Sequence, residues 1–273
     1  QRALDRPADF AGMHFFNPVH RMPLVEIIRG AETSDEAVAT VFALTRKLDK
    51  IPVIVKDGPG FLVNRVLTPY LNEAGWLLAE GGSIAEIDEA LLEFGMPMGP
   101  LRLLDEVGLD IARHAGQTMH EAFGERLEPS PALRALEKTD RLGRKNGRGF
   151  YVYEGGKEKH PDQDIYDELR SVVGDRKEIP AETIRDRCVL PMVNEAARIL
   201  EEGIARSPGD VDLAMITGTG FPPFRGGLLR WADGVGLGTV AAKLDAFAAA
   251  HGKRFEPAPL LRRKAESGEG FYG

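Results

Sequence analysis

The sequence predicts a short α/β region followed by a longer and mainly helical region. Three observations support this fold class: strand-like and helix-like patterns alternate over the first 56 residues, apolar residues then recur at helical spacing, and the helical part contains an internal repeat. With 273 residues, of which 43% are apolar, the chain is long enough to bury a core in one or two domains.

The first region is predicted to form two strands, a helix and a third strand. Residues 11–17 and 24–28 are short apolar runs joined by a turn that contains two prolines. Ser34 then offers a good N-cap, because acidic residues follow it and apolar residues recur at helical spacing up to about Leu48. Residues 51–55 are rich in β-branched side chains, which is typical of a strand.

The helical region contains a repeat. The segment PYLNEAGWLLAEG from Pro69 resembles PMVNEAARILEEG from Pro191, 122 residues later, and residues 87–109 resemble residues 211–237. The motif GRGFYVY from Gly147 is echoed by GEGFYG at the C-terminus. Because these matches occur in the same order, chance similarity of helical sequence is the weaker explanation. We therefore expect two helical modules of similar build that pack as pseudo-symmetric halves.

The expected domain boundaries follow from these changes of pattern. One boundary is expected near residues 57–60, where glycine and proline separate the last strand from the helices. We divide the chain into residues 1–57, residues 58–186, which hold a first helical module and a linker, and residues 187–273, a second helical module. Beyond the boundary, strand signal is expected only around residues 150–153.

Composition argues against several classes of function. The net charge of −7 comes from 35 basic and 42 acidic residues mixed along the chain, which argues against a site for nucleic acid or anionic lipid. Cys188 is the only cysteine, so an internal disulfide, a CxxC redox pair and a thiolate zinc site are excluded, and a reducing cytoplasm is expected. No apolar run approaches the roughly 18 residues of a membrane helix, and the histidines lack HxxxH spacing, so neither a membrane span nor a metal site is expected.

One glycine pattern imitates a dinucleotide-binding loop. Gly58-x-Gly60-x-x-Val63 follows a predicted strand and opens a predicted helix. However, valine replaces the third glycine of the fingerprint, and Pro59 lacks an amide that could bind phosphate. We therefore interpret these glycines as a break between strand and helix rather than as a pyrophosphate loop.

His14 and Glu26 form a candidate acid/base pair. They lie symmetrically about His20, so they face each other if the first two strands pair in antiparallel fashion around the turn. A carboxylate that accepts a hydrogen bond from one ring nitrogen fixes the tautomer and leaves the other nitrogen as a base. A structural histidine beside a glutamate is the alternative that the spacing alone leaves open.

Five blocks of sequence resemble the signature blocks of L-3-hydroxyacyl-CoA dehydrogenases. In the family's order they are HFFNPV from His14, LVEII from Leu24, DGPGFLVNR from Asp57, PMGPLRLLDEVGLD from Pro97 and GRKNGRGFY from Gly143. The second helical module, which contains GFPPFRGG, further resembles the C-terminal part of the α-subunit of multifunctional fatty-acid oxidation complexes. Together the matches cover almost all of the chain.

The resemblance implies a fold, a cofactor and roles for four residues. Residues 1–57 would be the C-terminal strands of a Rossmann-type NAD domain, followed by two repeated dehydrogenase C-terminal domains. His14 would be the base that removes the hydroxyl proton while hydride passes from C3 of a (3S)-3-hydroxyacyl-CoA to NAD, with Glu26 as its partner. Asn64 would bind the substrate, and Asn17 would lie beside both the substrate and the nicotinamide. The implied partner is a second copy or a thiolase subunit.

The chain also departs from the family pattern. The family's GxGxxG loop and a catalytic serine precede HFFNP and are missing from this sequence, so we expect an incomplete fragment that is inactive alone. In the second module, Asp186-Arg187 stands where the first has Asn64-Arg65, and the second module is therefore expected to serve packing.

Two other functions stay open on the sequence. The chain could be a non-catalytic helical module that dimerises or docks a thiolase subunit, or it could belong to a duplicated 3-hydroxybutyryl-CoA dehydrogenase.

Four basic residues could contact CoA phosphates, although a solvated loop is the favoured interpretation. They are Arg141, Arg144, Lys145 and Arg148.

Overall fold

The structure is a computed structural model that describes residues 3–273, in which there are five β-strands and 12 α-helices. The strands are β1 (Gly12–Phe15), β2 (Leu24–Arg29), β3 (Ile51–Lys56), β4 (Tyr151–Glu154) and β5 (Lys157–Pro161). The helices are α1 (Asp35–Lys47), α2 (Val63–Ala79), α3 (Ile84–Phe94), α4 (Pro100–Val107), α5 (Leu109–Phe123), α6 (Pro131–Leu136), α7 (Asp164–Glu168), α8 (Ala181–Glu201), α9 (Pro208–Thr219), α10 (Leu228–Val235), α11 (Leu237–His251) and α12 (Pro259–Ser267).

The chain divides into two compact units. Unit one comprises the residues up to Val66 together with Val193–Asp245 and Pro257–Gly273. Unit two comprises Leu67–Met192 and Ala246–Glu256. Each unit therefore collects segments that lie far apart in the sequence. None of the helices in the described part of the chain combines the length and apolarity that a bilayer crossing requires.

The predicted strands and helix of the first region are confirmed, and they build the sheet of unit one. The strand order is β1-β2-β3, with β1 antiparallel to β2 and β2 parallel to β3. A parallel pair needs a crossover connection, which α1 provides between β2 and β3. The Ser34 hydroxyl caps α1 by accepting a hydrogen bond from the Ala37 amide at 3.1 Å.

Strand β2 is the centre of this sheet and is buried along most of its length. Leu24, Val25, Glu26 and Ile27 are each fully buried, so a carboxylate sits within an otherwise apolar strand. Helix α9 packs beside it. A Cβ atom built on Gly218 of α9 would lie 2.6 Å from Cδ2 of Leu24, so the absence of a side chain allows the helix to approach the strand.

Unit two contains α3 to α7 and a small hairpin. The start of α3 is a capping box, in which Ser83 and Glu86 each bind the other's backbone amide. The hairpin pairs β4 with β5 in antiparallel fashion. Strand signal around residues 150–153 predicts β4, but β5 was not predicted, because its sequence KEKHP is polar and lacks β-branched residues.

Matching aspartates anchor the hairpin in unit two and the C-terminus in unit one. Asp88 accepts hydrogen bonds from two amides at the start of α4, at 2.9 and 3.0 Å, and from the Tyr151 hydroxyl at 2.8 Å. Asp212 accepts from two amides at the start of α10, at 2.7 and 3.0 Å, and from the Tyr272 hydroxyl at 2.6 Å. Each carboxylate thereby ties a helix start to a distant aromatic residue.

Unit one also contains a buried arginine. The Arg65 guanidinium donates to Glu195 at 2.7 Å and to both oxygens of Glu202 at 2.6 and 2.7 Å. The side chains of Arg65 and Glu195 are 2% and 3% exposed, so this pair is shielded from water.

Unit two contains the counterpart. Arg187 donates to Glu73, and it reaches the two oxygens of Glu80 at 2.6 and 2.8 Å. Arg187 lies 122 residues after Arg65, the same separation that relates the paired glutamates of unit two to those of unit one.

Candidate active site

His14 and Glu26 meet across the first two strands. The antiparallel register places His14 directly opposite Glu26, as the symmetric spacing predicts. His14 Nδ1 lies 2.7 Å from Glu26 Oε2, which is the distance of a strong hydrogen bond. The Glu26 side chain is fully buried, whereas 29% of the His14 side chain is exposed. The pair, called the dyad below, therefore has a shielded carboxylate and an imidazole that solutes can reach.

The second oxygen of Glu26 is bound by backbone. Oε1 accepts hydrogen bonds from the amides of Leu62 at 3.1 Å and Val63 at 2.9 Å. These amides lie at the start of α2, where unpaired N–H groups and the helix dipole favour a negative charge. A carboxylate can only accept hydrogen bonds, whether from the two amides or from Nδ1 of His14. Nδ1 of His14 then carries the proton, and Nε2 is the nitrogen able to accept one.

Two aromatic rings flank the imidazole. The ring of Phe16 lies 4.7 Å from the His14 ring in an edge-on arrangement, and the ring of Phe61 lies 5.4 Å away at a tilt of 55°. Sequence reasoning missed both contacts and also missed the amides of Leu62 and Val63. The available signal was the GF pair of GFLVNR, in which a bulky residue follows a glycine at a helix start.

The structure joins His14 to Glu26 by a hydrogen bond, and the two predicted asparagines lie in segments next to the residues that form the dyad and its backbone contacts. Asn17 is exposed in the turn after β1, three residues beyond His14. Asn64 is exposed in the first turn of α2, directly after Val63, whose amide binds Glu26. Both side chains are thus presented to solvent close to the elements that hold the dyad.

The glycine pattern at residues 58–60 does not form a phosphate loop. The amides that follow it, those of Leu62 and Val63, are engaged by Glu26. A pyrophosphate would need such amides at a helix start. This geometry agrees with the interpretation of Gly58 and Gly60 as a break between strand and helix.

The basic run differs from expectation. Arg141 is 2% exposed, and it donates to Asp162 at 2.6 Å and to Glu168 at 2.8 Å. The interpretation as a solvated loop is therefore wrong for Arg141, because its acidic partners lie too far along the chain to be recognised in the sequence. The other three cations also have acidic partners, so the run gives no support to a CoA phosphate site. These pairs are Arg144 with Glu106, Lys145 with Asp110, and Arg148 with Glu168.

Within residues 3–273, no group of three or more histidine, cysteine, aspartate or glutamate side chains is arranged to hold a metal ion. The histidine of the dyad is held by a carboxylate and two aromatic rings, an arrangement suited to proton transfer.

Comparison with known families decides the classification. Residues 1–58 match the NAD binding domain of 3-hydroxyacyl-CoA dehydrogenase, and its C-terminal domain matches twice, at residues 60–153 and 184–270. The chain belongs to the 3-hydroxyacyl-CoA dehydrogenase family. A Rossmann-like NAD-binding domain and a helical C-terminal domain, as the sequence predicts, fit the observed strands and helices.

Several members of this family are similar over the whole chain. The fatty acid oxidation complex subunit alpha of Acinetobacter baylyi is 46% identical over 279 residues, which cover 100% of this chain and 39% of the relative. The protein of the same name from Idiomarina loihiensis is 47% identical over 268 residues, covering 98% of this chain and 38% of the relative. The chain thus spans less than half the length of these relatives.

Solved structures of the family share the fold. The 3-hydroxybutyryl-CoA dehydrogenase of Escherichia coli K12 superposes with a TM-score of 0.82 at 26% identity, covering 97% of this chain and 72% of that chain. The dehydrogenase part of multifunctional enzyme 1 from C. elegans gives a TM-score of 0.68 at 29% identity, covering 96% and 61%.

Proposed function

We propose that the protein to which this chain belongs oxidises (3S)-3-hydroxyacyl-CoA to 3-oxoacyl-CoA with NAD, in fatty-acid β-oxidation. The observation that carries the proposal is the 2.7 Å contact between His14 and a buried Glu26 that two helix amides hold in place. Membership of the dehydrogenase family supports the reaction class, and the names of the relatives support the metabolic setting.

His14 acts as the base in this proposal. Its Nε2 accepts the hydroxyl proton as the C3–O bond becomes a carbonyl, and bound NAD would supply the acceptor for the hydride that leaves C3. The imidazole becomes an imidazolium, and Glu26 stabilises that charge from 2.7 Å within a buried setting. The bond to Oε2 also keeps Nδ1 protonated before the reaction, so the base is in the required tautomer.

Asn17 and Asn64 orient the reactants in this proposal. Both are neutral amides that donate and accept hydrogen bonds, so they can bind a thioester carbonyl or the 3-oxygen without competing for the proton. Asn17 also serves the nicotinamide side. The fit to NAD is partial, since the amides of Leu62 and Val63, which follow the Gly58–Gly60 turn, are bound by Glu26 and this chain contributes the base side of the site.

We also propose the domain organisation. Residues 1–57 are the C-terminal part of the NAD-binding domain, residues 58–186 hold the first helical domain with a linker, and residues 187–273 are a second, degenerate copy. The matching contacts of Asp88 and Asp212 support the duplication, because each binds the start of a helix and a tyrosine hydroxyl.

The proposed setting is a cytoplasmic complex. The relatives are named subunit alpha of a fatty acid oxidation complex, which supports assembly with a thiolase subunit or a second copy. Cys188 is a buried free thiol, which is compatible with a reducing compartment.

A second candidate is favoured by one comparison. The E. coli 3-hydroxybutyryl-CoA dehydrogenase covers 97% of this chain with a TM-score of 0.82. That likeness supports a duplicated dehydrogenase that acts on a four-carbon acyl group by the same dyad. The ratio of kcat/KM for acetoacetyl-CoA and a long-chain 3-oxoacyl-CoA distinguishes the two candidates.

The test is an NADH-linked assay with acetoacetyl-CoA on this chain and on a form extended at its N-terminus. Activity in the extended form that is lost in His14→Gln supports the proposal. Equal activity in His14→Gln contradicts the role of the dyad. Inactivity of both forms, with a folded chain that binds a thiolase subunit, favours a non-catalytic assembly module instead.

A further inference from the structure

The backbone of Phe61 is unusual for its residue type. In residues 3–273, Asp49 and Phe61 are the non-glycine residues with positive φ, at 57° and 48°. Asp49 lies just after the end of α1, where aspartate tolerates this left-handed conformation well. A bulky aromatic residue rarely adopts it, so the surroundings of Phe61 must hold it there.

The left-handed turn aims two amides at Glu26. The Phe61 amide donates to the Gly58 carbonyl at 3.0 Å, which closes the turn before α2. The next two amides, of Leu62 and Val63, then both point at Oε1 of Glu26. A left-handed residue followed by helical ones brings successive N–H groups together into a concave anion site.

The side chain of the same residue contacts the base. The Phe61 ring is half-buried and lies 5.4 Å from the imidazole of His14, while Phe16 packs on that imidazole at 4.7 Å. The backbone of Phe61 therefore serves one member of the dyad and its ring serves the other.

We propose that Phe61 is a positioning residue of the dyad, with its left-handed backbone presenting α2 to Glu26 and its ring holding the His14 imidazole in line with that carboxylate. The inference deepens the proposed function, because it assigns a role at the same site. It predicts that a substitution which removes the ring but still suits the left-handed backbone loosens the His14 imidazole and leaves the α2 amides bound to Glu26.

The test follows the Nδ1 proton of His14 by nitrogen-resolved NMR on the 273-residue chain, with His14→Gln to assign the signal. Asparagine suits the left-handed conformation but lacks the ring. In Phe61→Asn we expect the Nδ1 proton to exchange with water roughly tenfold faster, while the Leu62 and Val63 amides stay protected. Phe61→Tyr keeps the ring, so the Nδ1 proton should exchange as slowly as in the parent. Phe61→Leu, which lacks the ring and fits the backbone poorly, should speed exchange at all three sites.

Two controls separate positioning from general packing. Phe42→Asn removes an exposed ring on α1, and Asp49→Leu imposes the same backbone conflict away from the dyad. Both should leave the His14 signal unchanged. Should Phe61→Asn fail to fold in a thermal melt, Phe61→Gly supplies the same comparison, because glycine also lacks the ring and adopts the left-handed conformation.

Exchange within twofold of the parent in the folded ring-loss variant would overturn the inference. Activity is judged separately in the N-terminally extended form. If His14→Gln retains activity there, the proposed role of the dyad in the reaction fails, whereas the exchange rates still decide whether Phe61 positions the imidazole.

Discussion

The start of α2 and the matching stretch of α8 each contain a buried arginine, Arg65 and Arg187. The backbone amides next to these arginines, however, bind different partners. In unit one, α2 begins at Val63 and its first amides bind Glu26. In unit two, α8 begins at Ala181, about one turn earlier relative to its arginine. The amide of Ile184 there donates to the Pro180 carbonyl at 3.0 Å, so its hydrogen bond is made to the helix backbone and not to a carboxylate.

The two segments share their buried arginine–glutamate ion pairs and differ in whether their first amides bind a carboxylate. Arg65 and Arg187 each hold two glutamates, so the ion pairs are the same in both segments. The left-handed turn at Phe61, by contrast, leaves the next two amides free of helix hydrogen bonds, and they bind the carboxylate of Glu26. Two helices with matching buried ion pairs can therefore differ in whether their first amides bind a carboxylate.

The largest expected effect comes from removing either arginine. Burial alone would lower the pKa of Arg65, but its bonds to Glu202 and Glu195 raise it, so the guanidinium stays charged. Arg65→Met removes the guanidinium that lies 2.7 Å from the buried Glu195 and should lower the free energy of unfolding by about 3–5 kcal/mol, and Arg187→Met should cost a similar amount. Denaturant unfolding measures both.

The matched control is an exposed pair in unit one. Arg263, which is 60% exposed and bonded to Glu201, should change stability by less than about 1 kcal/mol when replaced by methionine. A loss of that small size in either Arg65→Met or Arg187→Met would contradict the expected stabilisation by that cluster, and a small loss in only one of them would show that the two clusters are not equivalent.

The next effect concerns pH and the buried aspartates of unit two. Burial raises the pKa of Asp105 to about 7 and that of Asp88 to about 6, from an ordinary value of 3.8. At pH values between the ordinary pKa of 3.8 and the raised pKa, each of these aspartates keeps a proton in the folded protein that it has lost in the unfolded chain. The resulting stabilisation is complete below about pH 4 and is lost as the pH rises through 7.

Asp105→Asn removes that titration. The difference in unfolding free energy between the parent and this variant should therefore change by on the order of 2 kcal/mol from about pH 5 to pH 8, with the parent losing stability. Denaturant midpoints at several pH values measure the change. Parallel curves for the two proteins would contradict the proton linkage.

How far the sequence predicts this molecule depends on the distance over which each feature acts. The strands, α1 and the pairing of His14 with Glu26 follow from local pattern and a short turn, and the structure agrees. The amides of α2 that bind Glu26 lie 36 and 37 residues away, and only the folded chain brings them there. Arg141 is missed for the same reason, since Asp162 is 21 residues away.

The smallest expected effect sharpens the comparison at the helix starts. Asn64 and Asp186 occupy the same place in the repeat. In the N-terminally extended form, Asn64→Asp puts a negative charge where the proposal has a thioester oxygen, and kcat/KM should fall about tenfold. Asp186→Asn should stay within twofold of the parent. Equal effects of the two substitutions would remove the proposed distinction between the modules.

The central claim is that a buried carboxylate holds His14 as the base, and the turnover of Glu26→Gln tests it most directly. The measurement is kcat in the N-terminally extended form at saturating substrate, with a thermal melt to confirm folding. A glutamine can still accept the α2 amides at one oxygen, but it cannot stabilise an imidazolium by charge, so kcat should fall about a hundredfold with an unchanged melt. A kcat equal to that of the parent would contradict the account.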